Sequence, residues 1–212
     1  MLVTDTGAES HHNPTFVGFS ITMTNCQTAL SYDRTFEMLS NAWDWAMEKE
    51  VPLVVASTTG ATAEYLTRFS GKKTGRVFIV THHQKRVPEA DRFDPSVFEK
   101  IRGGEYVFLQ DGYSFWPLSF VRFPNKFLGL KPLTGKERVL EEILGTGGRV
   151  CFQITERVMR QGYLKPGDTV VAAAGCRSGV NTVLALKIRK HRPHTIALQE
   201  IIVCERSCKK HS

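Results

Sequence analysis

Short, continuous apolar runs alternate with stretches of helical periodicity along most of this chain. The runs "PLVVAS", "RVFIVTHH" and "PGDTVVAAAG" are typical of parallel strands that are buried on both faces. Residues 31–50 carry apolar side chains at three- and four-residue steps, which predicts an amphipathic helix. Strands that alternate with helices favour a parallel sheet with helices on both faces. We therefore predict an α/β fold, a three-layer α/β/α sandwich with a mainly parallel sheet.

The predicted order of elements is β-α-β-α-β-(αα)-β-α-β. Two helices, "TGKERVLEEILG" and "RVCFQITERVMRQG", precede the fourth strand. The segment "RSGVNTVLALKIR" after that strand is interpreted as a short helix or a turn into one. "HTIALQEIIVCER" is interpreted as a last strand with a bulge. Residues 112–132 are rich in aromatic residues and proline, and they are interpreted as a long ordered loop or insertion.

Composition is that of a single globular domain. The chain has 212 residues, of which 42% are hydrophobic, enough to form a core. We expect a flexible segment at 1–15, one domain at 16–205 and a basic tail at 206–212. No apolar run approaches about 20 residues and the start has no signal-peptide pattern, so no membrane partner is expected. Five cysteines, an odd number without close spacing, favour a reduced, cytoplasmic protein.

The formal net charge of +7 raises the question of an acidic partner. Most basic residues are scattered, and no stacking motif of a known RNA-binding module is present, so nucleic-acid binding is disfavoured. A positive charge also suits a small phosphorylated ligand. We therefore look for a phosphate site rather than a nucleic-acid surface.

The first predicted strand is followed by "STTGATA", in which hydroxyl residues and a glycine precede a predicted helix. Glycine lets the backbone approach a ligand closely or adopt a positive φ. The start of a helix offers free N–H groups and the positive end of the helix dipole, which suit a phosphate. An ordinary helix cap, which needs one hydroxyl, is the alternative. The candidate phosphate-binding residues are Ser57, Thr58, Thr59, Gly60 and Thr62.

The other predicted strands also end in polar residues, at the edge where such folds bind ligands. The second strand ends at Thr81, His82 and His83. Adjacent histidines on a strand point to opposite faces, so hydrogen bonding to a ligand is expected rather than a metal site. The third strand ends near Asp111. The fourth runs into "GCRSGVNT", where Arg177 could pair with a phosphate or carboxylate, or could be a solvated arginine in a glycine-rich turn.

Two stretches resemble a known family. "VPLVVASTTGATAEYLTRFSG" with "VFIVTHH", and later "GGRVCFQITERVMRQGYLKPGDTVVAAAGCRSGVNTVLALK", are similar to free-standing proteins related to the C-terminal α/β domain of pyruvate kinase. The resemblance covers roughly residues 33–203. It implies a three-layer α/β/α domain without the catalytic barrel of the kinase, and therefore no phosphorylation of ADP. It also implies a bound flavin mononucleotide (FMN), with which the free-standing relatives are associated.

The resemblance also implies roles for individual residues. In pyruvate kinase, the turn that matches "STTGAT" carries an allosteric sugar-phosphate site, so the same turn would hold the FMN phosphate here. Thr81, His82 and His83 would lie near the flavin or its ribityl chain. The residues that would close the other side are Gly175, Arg177, Asn181 and Thr182.

The chain departs from the family pattern at two places. Residues 112–132 are bulky and aromatic where relatives carry a glycine-rich segment, and Gln153 stands where glutamate is common. Both changes are expected to lie near the ring of a bound cofactor. Aromatic side chains there could stack on a flavin or could fill its pocket.

Two classes of function stay open. The first is binding of a phosphorylated small molecule, with FMN as the foremost candidate. The second is an enzyme that uses the same pocket, either a flavin-dependent oxidoreductase or a small hydrolase with Cys176 or His82 as a reactive group. No metal site is predicted. The last strand offers a sheet edge through which two copies could form a homo-oligomer, as kinase subunits do through this domain.

Overall fold

The computed structural model describes residues 32–69, 76–82, 89, 92–102, 106–110, 135–176, 179–189 and 196–205. These residues form four α-helices and six β-strands. The helices are α1 (Tyr32–Glu48), α2 (Ala61–Leu66), α3 (Pro95–Arg102) and α4 (Gly135–Arg160). The strands are β1 (Leu53–Ala56), β2 (Val77–Thr81), β3 (Tyr106–Gln110), β4 (Thr169–Cys176), β5 (Gly179–Ile188) and β6 (Ile196–Cys204).

The six strands form one sheet in the order β3-β2-β1-β4-β5-β6. β1 pairs in parallel with both β2 and β4, and β2 pairs in parallel with β3. β5 and β6 complete the sheet as antiparallel strands. The chain builds β2 and β3 on one side of β1 and then places β4 on the other side. The carboxyl ends of β1 and β4 therefore flank the point where the strand order reverses, which is the usual ligand position in such folds.

Helices cover both faces of this sheet, so the predicted three-layer α/β/α sandwich is confirmed. One face carries α1, α2 and α3, and the core between helices and sheet includes Leu39, Trp43 and Leu66. The other face carries α4, which buries Cys151 and Val158 against the sheet. All five residues of β2 are buried, as expected for an apolar run that is covered on both sides.

Local sequence signals explain where α3 begins. Pro95 is its first residue, a position at which proline needs no hydrogen-bond partner. The Oδ1 atom of Asp94 accepts a hydrogen bond from the backbone N–H of Ser96 at 2.7 Å, so Asp94 caps the helix. The hydrogen bonds from Ser96 hold the pKa of the Asp94 carboxyl below its usual value.

The segment after β4 is a strand, so the prediction of a helix or a turn into one is wrong. β5 pairs with β4 from Cys176↔Gly179 to Thr169↔Lys187, and only residues 177 and 178 separate the two strands along the chain. Its apolar run is buried almost throughout, because it lies between β4 and β6 within the sheet. Periodicity cannot distinguish such a run from a buried helix, and pairing partners on both sides decide the outcome.

The two helices predicted before β4 are present within α4. Gly145 interrupts this helix with φ 72° and ψ −177°, which separates the two predicted segments. The bulge predicted in the last strand is also confirmed. The register between β5 and β6 shifts between Val183 and Leu184 and again between Ala185 and Leu186.

Several predictions concern parts of the chain outside the described residues. These are the flexible segment 1–15, the loop or insertion 112–132 and the basic tail 206–212. Within the described ranges, no helix is both long enough and apolar enough to span a bilayer.

Candidate functional site

The candidate residues that the structure describes lie at one edge of the sheet. Ser57 follows β1, His82 follows β2 and Gly175 lies near the end of β4, so the carboxyl ends of three parallel strands carry them. Because β5 runs antiparallel to β4, its first residues, including Asn181, return to the same edge. The candidates outside the described residues are His83, Asp111 and Arg177.

Ser57 caps α2 from outside the helix. Its Oγ accepts a hydrogen bond from the backbone N–H of Ala63 at 3.1 Å. Its own N–H donates to the carbonyl of Val80 in β2 at 3.0 Å, and the residue is buried. The N-cap residue itself is Gly60, which has no side chain with which to cap. The first hydroxyl of the turn therefore serves the fold, whereas the next two hydroxyl residues are exposed.

Ser57→Ala should lower the free energy of unfolding by about 1 kcal/mol, because the N–H of Ala63 loses its acceptor. Urea denaturation would measure the change. Thr58→Ala is the matched control, since the Thr58 side chain is exposed, and it should change stability by less than about 0.5 kcal/mol. Equal stability of the two variants would contradict the capping role of Ser57.

Gly60 has the positive φ that the predicted turn requires. Its φ is 100° and its ψ is −20°, and its carbonyl accepts a hydrogen bond from the Glu64 N–H at 2.8 Å. A Cβ at this position would lie 3.3 Å from atoms of both Phe93 and Val97. The glycine is therefore required by backbone conformation and by close packing. A Gly60→Val variant would disturb the fold, so the threonines of the turn are better positions for testing ligand binding.

One amide group in the first turn of α2 makes no hydrogen bond to the part of the chain that the structure describes. The Ala61 N–H donates to Thr59 Oγ1 over a long 3.4 Å, and the Ala63 N–H is capped by Ser57. The Thr62 N–H is this group, since it makes no hydrogen bond to another described residue. Two N–H groups, one weakly bonded and one without a bond to the described residues, thus lie at the positive end of the helix, near the exposed Thr59.

Thr81 braces this turn from the neighbouring strand. It is the last residue of β2 and is buried, and its Oγ1 donates a hydrogen bond to the carbonyl of Thr58 at 3.2 Å. The next residue, His82, is exposed at the same sheet edge. Thr81 is therefore a residue that positions the turn, and His82 is the one of the two that a ligand could contact.

An open groove of about 600 Å³ begins at the same turn and runs between α2 and α3. Thr59 and Ala61 line its inner end. Its charged lining residues are Glu64, Glu89, Arg92 and Asp94. Carboxylates outnumber the single guanidinium, and Glu64 is also paired with Lys100 at 2.7 Å. The groove thus offers hydrogen-bond acceptors rather than a second site for an anion.

Asn181 and Thr182 lie on the α4 side of the sheet. Ala174 pairs with Thr182 and Gly175 pairs with Val180, so Asn181 is an extra residue in β5. This bulge lets two consecutive side chains turn toward α4, where Thr182 Oγ1 donates to Asn181 Oδ1 at 2.9 Å. A Cβ on Gly147 of α4 would overlap both of these oxygen atoms.

The turn between β1 and α2, residues 57–60, is called here the threonine turn. It lies on one face of the sheet, and the Asn181–Thr182 pair lies on the other. The turn leads into α2, which packs on the face of α1 and α3, whereas the pair packs against α4. Both Asn181 and Thr182 are fully enclosed, with 2% and 0% exposure. Their side chains support the sheet edge from within, and direct contact with a ligand is not available to them in this conformation.

Cys151 in α4 is too deeply buried to act as a nucleophile. Cys151 is completely buried, and its Sγ donates to the carbonyl of Ala172 at 3.4 Å. Burial raises the pKa of the Cys151 thiol, so the thiolate is disfavoured. The side chain of Cys176, the predicted candidate for a nucleophile, lies outside the described part of the chain. Within that part, no group of three or more His, Cys, Asp or Glu residues is placed to hold a metal ion.

Sequence reasoning missed two features of this edge. Glu89 and Arg92 line the groove but stand in a stretch without a motif. Gly147 was not singled out, although "GTGG" inside a helical pattern was an available signal, since such glycines often mark close packing. Gln153, expected near a cofactor ring, is exposed on α4 and accepts a hydrogen bond from Arg149 at 3.1 Å.

Comparison with known families agrees with this architecture. Residues 37–189 match the family model described as pyruvate kinase, alpha/beta domain. The match runs from α1 through β5, and it includes the threonine turn, the groove residues and the bulge at Asn181. It covers well over half of the 212-residue chain. The chain therefore belongs to the pyruvate kinase alpha/beta domain family.

Proposed function

We propose that this protein binds a phosphorylated small molecule at the turn between β1 and α2, and that FMN is that molecule. The observation that carries the proposal is the Thr62 N–H, which has no acceptor among the described residues at the exposed start of α2. A phosphate oxygen there would also complete the weak bonding of the Ala61 N–H. The proposal is one of binding and includes no phosphoryl transfer.

The chemistry of the turn fits the phosphate end of FMN. The N–H groups of Ala61 and Thr62 would donate to phosphate oxygens, and the hydroxyls of Thr59 and Thr62 would add two further donors. Gly60, in the αL conformation, is the N-cap residue that directly precedes these N–H groups. When bound, FMN would supply a redox-active ring. We propose that His82, which is exposed just after β2, contacts another part of the cofactor.

The groove supports a ligand whose remainder is uncharged and rich in hydroxyl groups. It starts at Thr59 and Ala61, so a molecule held by its phosphate would extend into it. Hydroxyl groups of a ribityl chain would donate to the carboxylates of Glu64 and Glu89. A second phosphate would instead meet these carboxylates at close range, which disfavours bisphosphates. The proposal therefore favours monophosphates.

The test compares FMN with riboflavin, which has the same ring and ribityl chain but no phosphate. We expect FMN to raise the melting temperature of the protein in a concentration-dependent way, equivalent to about 2.7 kcal/mol at 100 times Kd. Riboflavin at the same concentration should have a much smaller effect. The visible absorption spectrum of the purified protein would show whether flavin is carried from the cell.

Each outcome has a definite meaning. Equal effects of FMN and riboflavin would contradict a phosphate site at the turn. No effect of either compound would reject FMN as the ligand. Ribose 5-phosphate and ribose 1,5-bisphosphate then become the next probes, and only the monophosphate should stabilise the protein if the turn holds a different monophosphorylated ligand.

A further inference from the structure

The break within α4 divides the helix into two parts that differ in how much of each is buried. Gly145 has φ 72° and ψ −177°, a combination that only glycine adopts readily. The part before it, Gly135–Leu144, is called here the arm. The part after it, from Thr146 to Arg160, continues to β4. A glycine in this conformation can act as a hinge because small changes in its dihedral angles reorient the whole preceding segment.

Among residues 138–144, Leu140 and Leu144 pack against the core, and most of the others are exposed. Val139 and Ile143 are 52% and 55% exposed, and Arg138 and Glu142 are exposed as well. Of residues 138–144, only Leu144, next to the hinge, is buried. Segments with few buried apolar contacts have low local stability and open more readily than the protein as a whole.

The helix after the hinge is anchored in the opposite manner. Cys151 and Val158 are fully buried, and Phe152 and Ile154 are nearly so. The last residue of the arm is also tethered beside the hinge, because the Sγ of Cys204 in β6 donates to the Leu144 carbonyl at 3.5 Å. Any movement of the arm would therefore pivot at Gly145 against a rigid support.

One carboxylate joins the arm to this support. The Oε1 of Glu141 accepts a hydrogen bond from Thr146 Oγ1 at 3.0 Å, and its Oε2 lies 3.3 Å from Arg149 Nε. Both partners stand beyond the hinge. The Glu141 and Arg149 side chains are only 24% and 19% exposed, so solvent screens this pair less than the exposed Glu156–Arg160 pair of the same helix. The Nε of Arg149 is buried and makes no hydrogen bond, so its contact with Glu141 is an ion pair only.

We propose that Gly135–Leu144 is a hinged arm that opens as a unit about Gly145, with the Glu141 carboxylate as its latch. In the closed state the latch holds the arm across the first turn of the helix that follows. In the open state the Thr146 hydroxyl and the Arg149 guanidinium become accessible, and the arm exposes the inner side of Leu140. The inference is independent of the proposed ligand.

Hydrogen–deuterium exchange of the full chain, followed by mass spectrometry, tests the arm and its latch. In Glu141→Gln, the amides of residues 138–144 should exchange about tenfold faster than in the wild type, since the ion pair with Arg149 is lost and the hydrogen bond from Thr146 loses its charged acceptor. Peptides from residues 150–160 and from β4 should be unchanged. Glu142→Gln is the matched control, because it removes the same charge from an exposed neighbour, and it should exchange like the wild type.

Arg149→Gln removes the same pair from the other side of the hinge and should accelerate exchange in the same residues. Unchanged exchange of the arm in both variants would overturn the latch. Equal acceleration throughout the protein would overturn the hinged arm, since it would mean that the pair stabilises the whole fold. Acceleration in Glu142→Gln equal to that in Glu141→Gln would also overturn the latch, because helix charge would then be the cause.

Discussion

The Thr59→Val/Thr62→Val double variant is expected to bind FMN about a hundredfold or more weakly than the wild type. Each hydroxyl that donates to a charged phosphate contributes about 1.5–3 kcal/mol, and each 1.4 kcal/mol is a factor of ten in Kd. Valine keeps the branched shape of threonine, and both positions lie at the surface or partly exposed, so the fold should be little affected. The binding constant can be measured by quenching of flavin fluorescence.

Thr67→Val is the matched control for this variant. Thr67 lies at the other end of α2, where its hydroxyl donates to the Glu64 carbonyl at 2.7 Å. This change should cost some stability but leave the affinity for FMN within about a factor of two, because Thr67 lies at the C-terminal end of α2 and the proposed site lies at its N-terminal end. Wild-type affinity in the double variant, together with an unchanged melting temperature, would mean that the turn is only a helix cap.

Gly147→Ala is expected to destabilise the protein by about 1–3 kcal/mol, although alanine is the better helix former. The added methyl group would overlap Asn181 Oδ1 and Thr182 Oγ1, which are enclosed between α4 and the sheet. These atoms cannot retreat, because they are hydrogen-bonded to each other and held at a bulge in β5. Urea denaturation, with the slope of the transition checked for constancy, would measure the loss.

Two further variants make this prediction specific. Gly162→Ala adds a methyl group where no atom lies within 4 Å, so it reports the cost of a positive φ without a clash. Asn181→Ala removes one of the two overlapping atoms, and combined with Gly147→Ala it should recover about 0.5–3 kcal/mol of the expected additive loss. Additive effects of Gly147→Ala and Asn181→Ala would contradict the close contact. Higher stability of Gly147→Ala would mean that helix propensity outweighs the packing.

Most of this fold could be predicted from the sequence, because the local patterns of these segments fit only one type of secondary structure. The apolar runs of β1, β2 and β4 can only be buried, and their lengths fit strands. The spacing of Leu39, Trp43 and Ala46 puts them on one side of a helix, where they are buried in the structure. The turn at Gly60 was also predictable, since a glycine after hydroxyl residues marks a helix start.

The remaining features depend on partners that are distant in the chain. β5 is a strand because β4 and β6 pair with it on both sides, and its own apolar run fits a helix equally well. The bulge at Asn181 follows from a register that two strands set together. The hydroxyl of Ser57 caps α2, because it accepts the hydrogen bond of the Ala63 N–H, whereas Thr59 is exposed.

For this protein, sequence alone determined the layers, the parallel strands and the edge at which a ligand would bind, because burial periodicity and turn residues act locally. Tertiary structure decided which of the residues at that edge are accessible. Four residues were predicted to contact a ligand but are buried and hydrogen-bonded within the protein: Ser57, Thr81, Asn181 and Thr182. The reason is that a polar side chain enclosed on folding must find a partner, and only the packed chain shows whether that partner is the protein or a ligand.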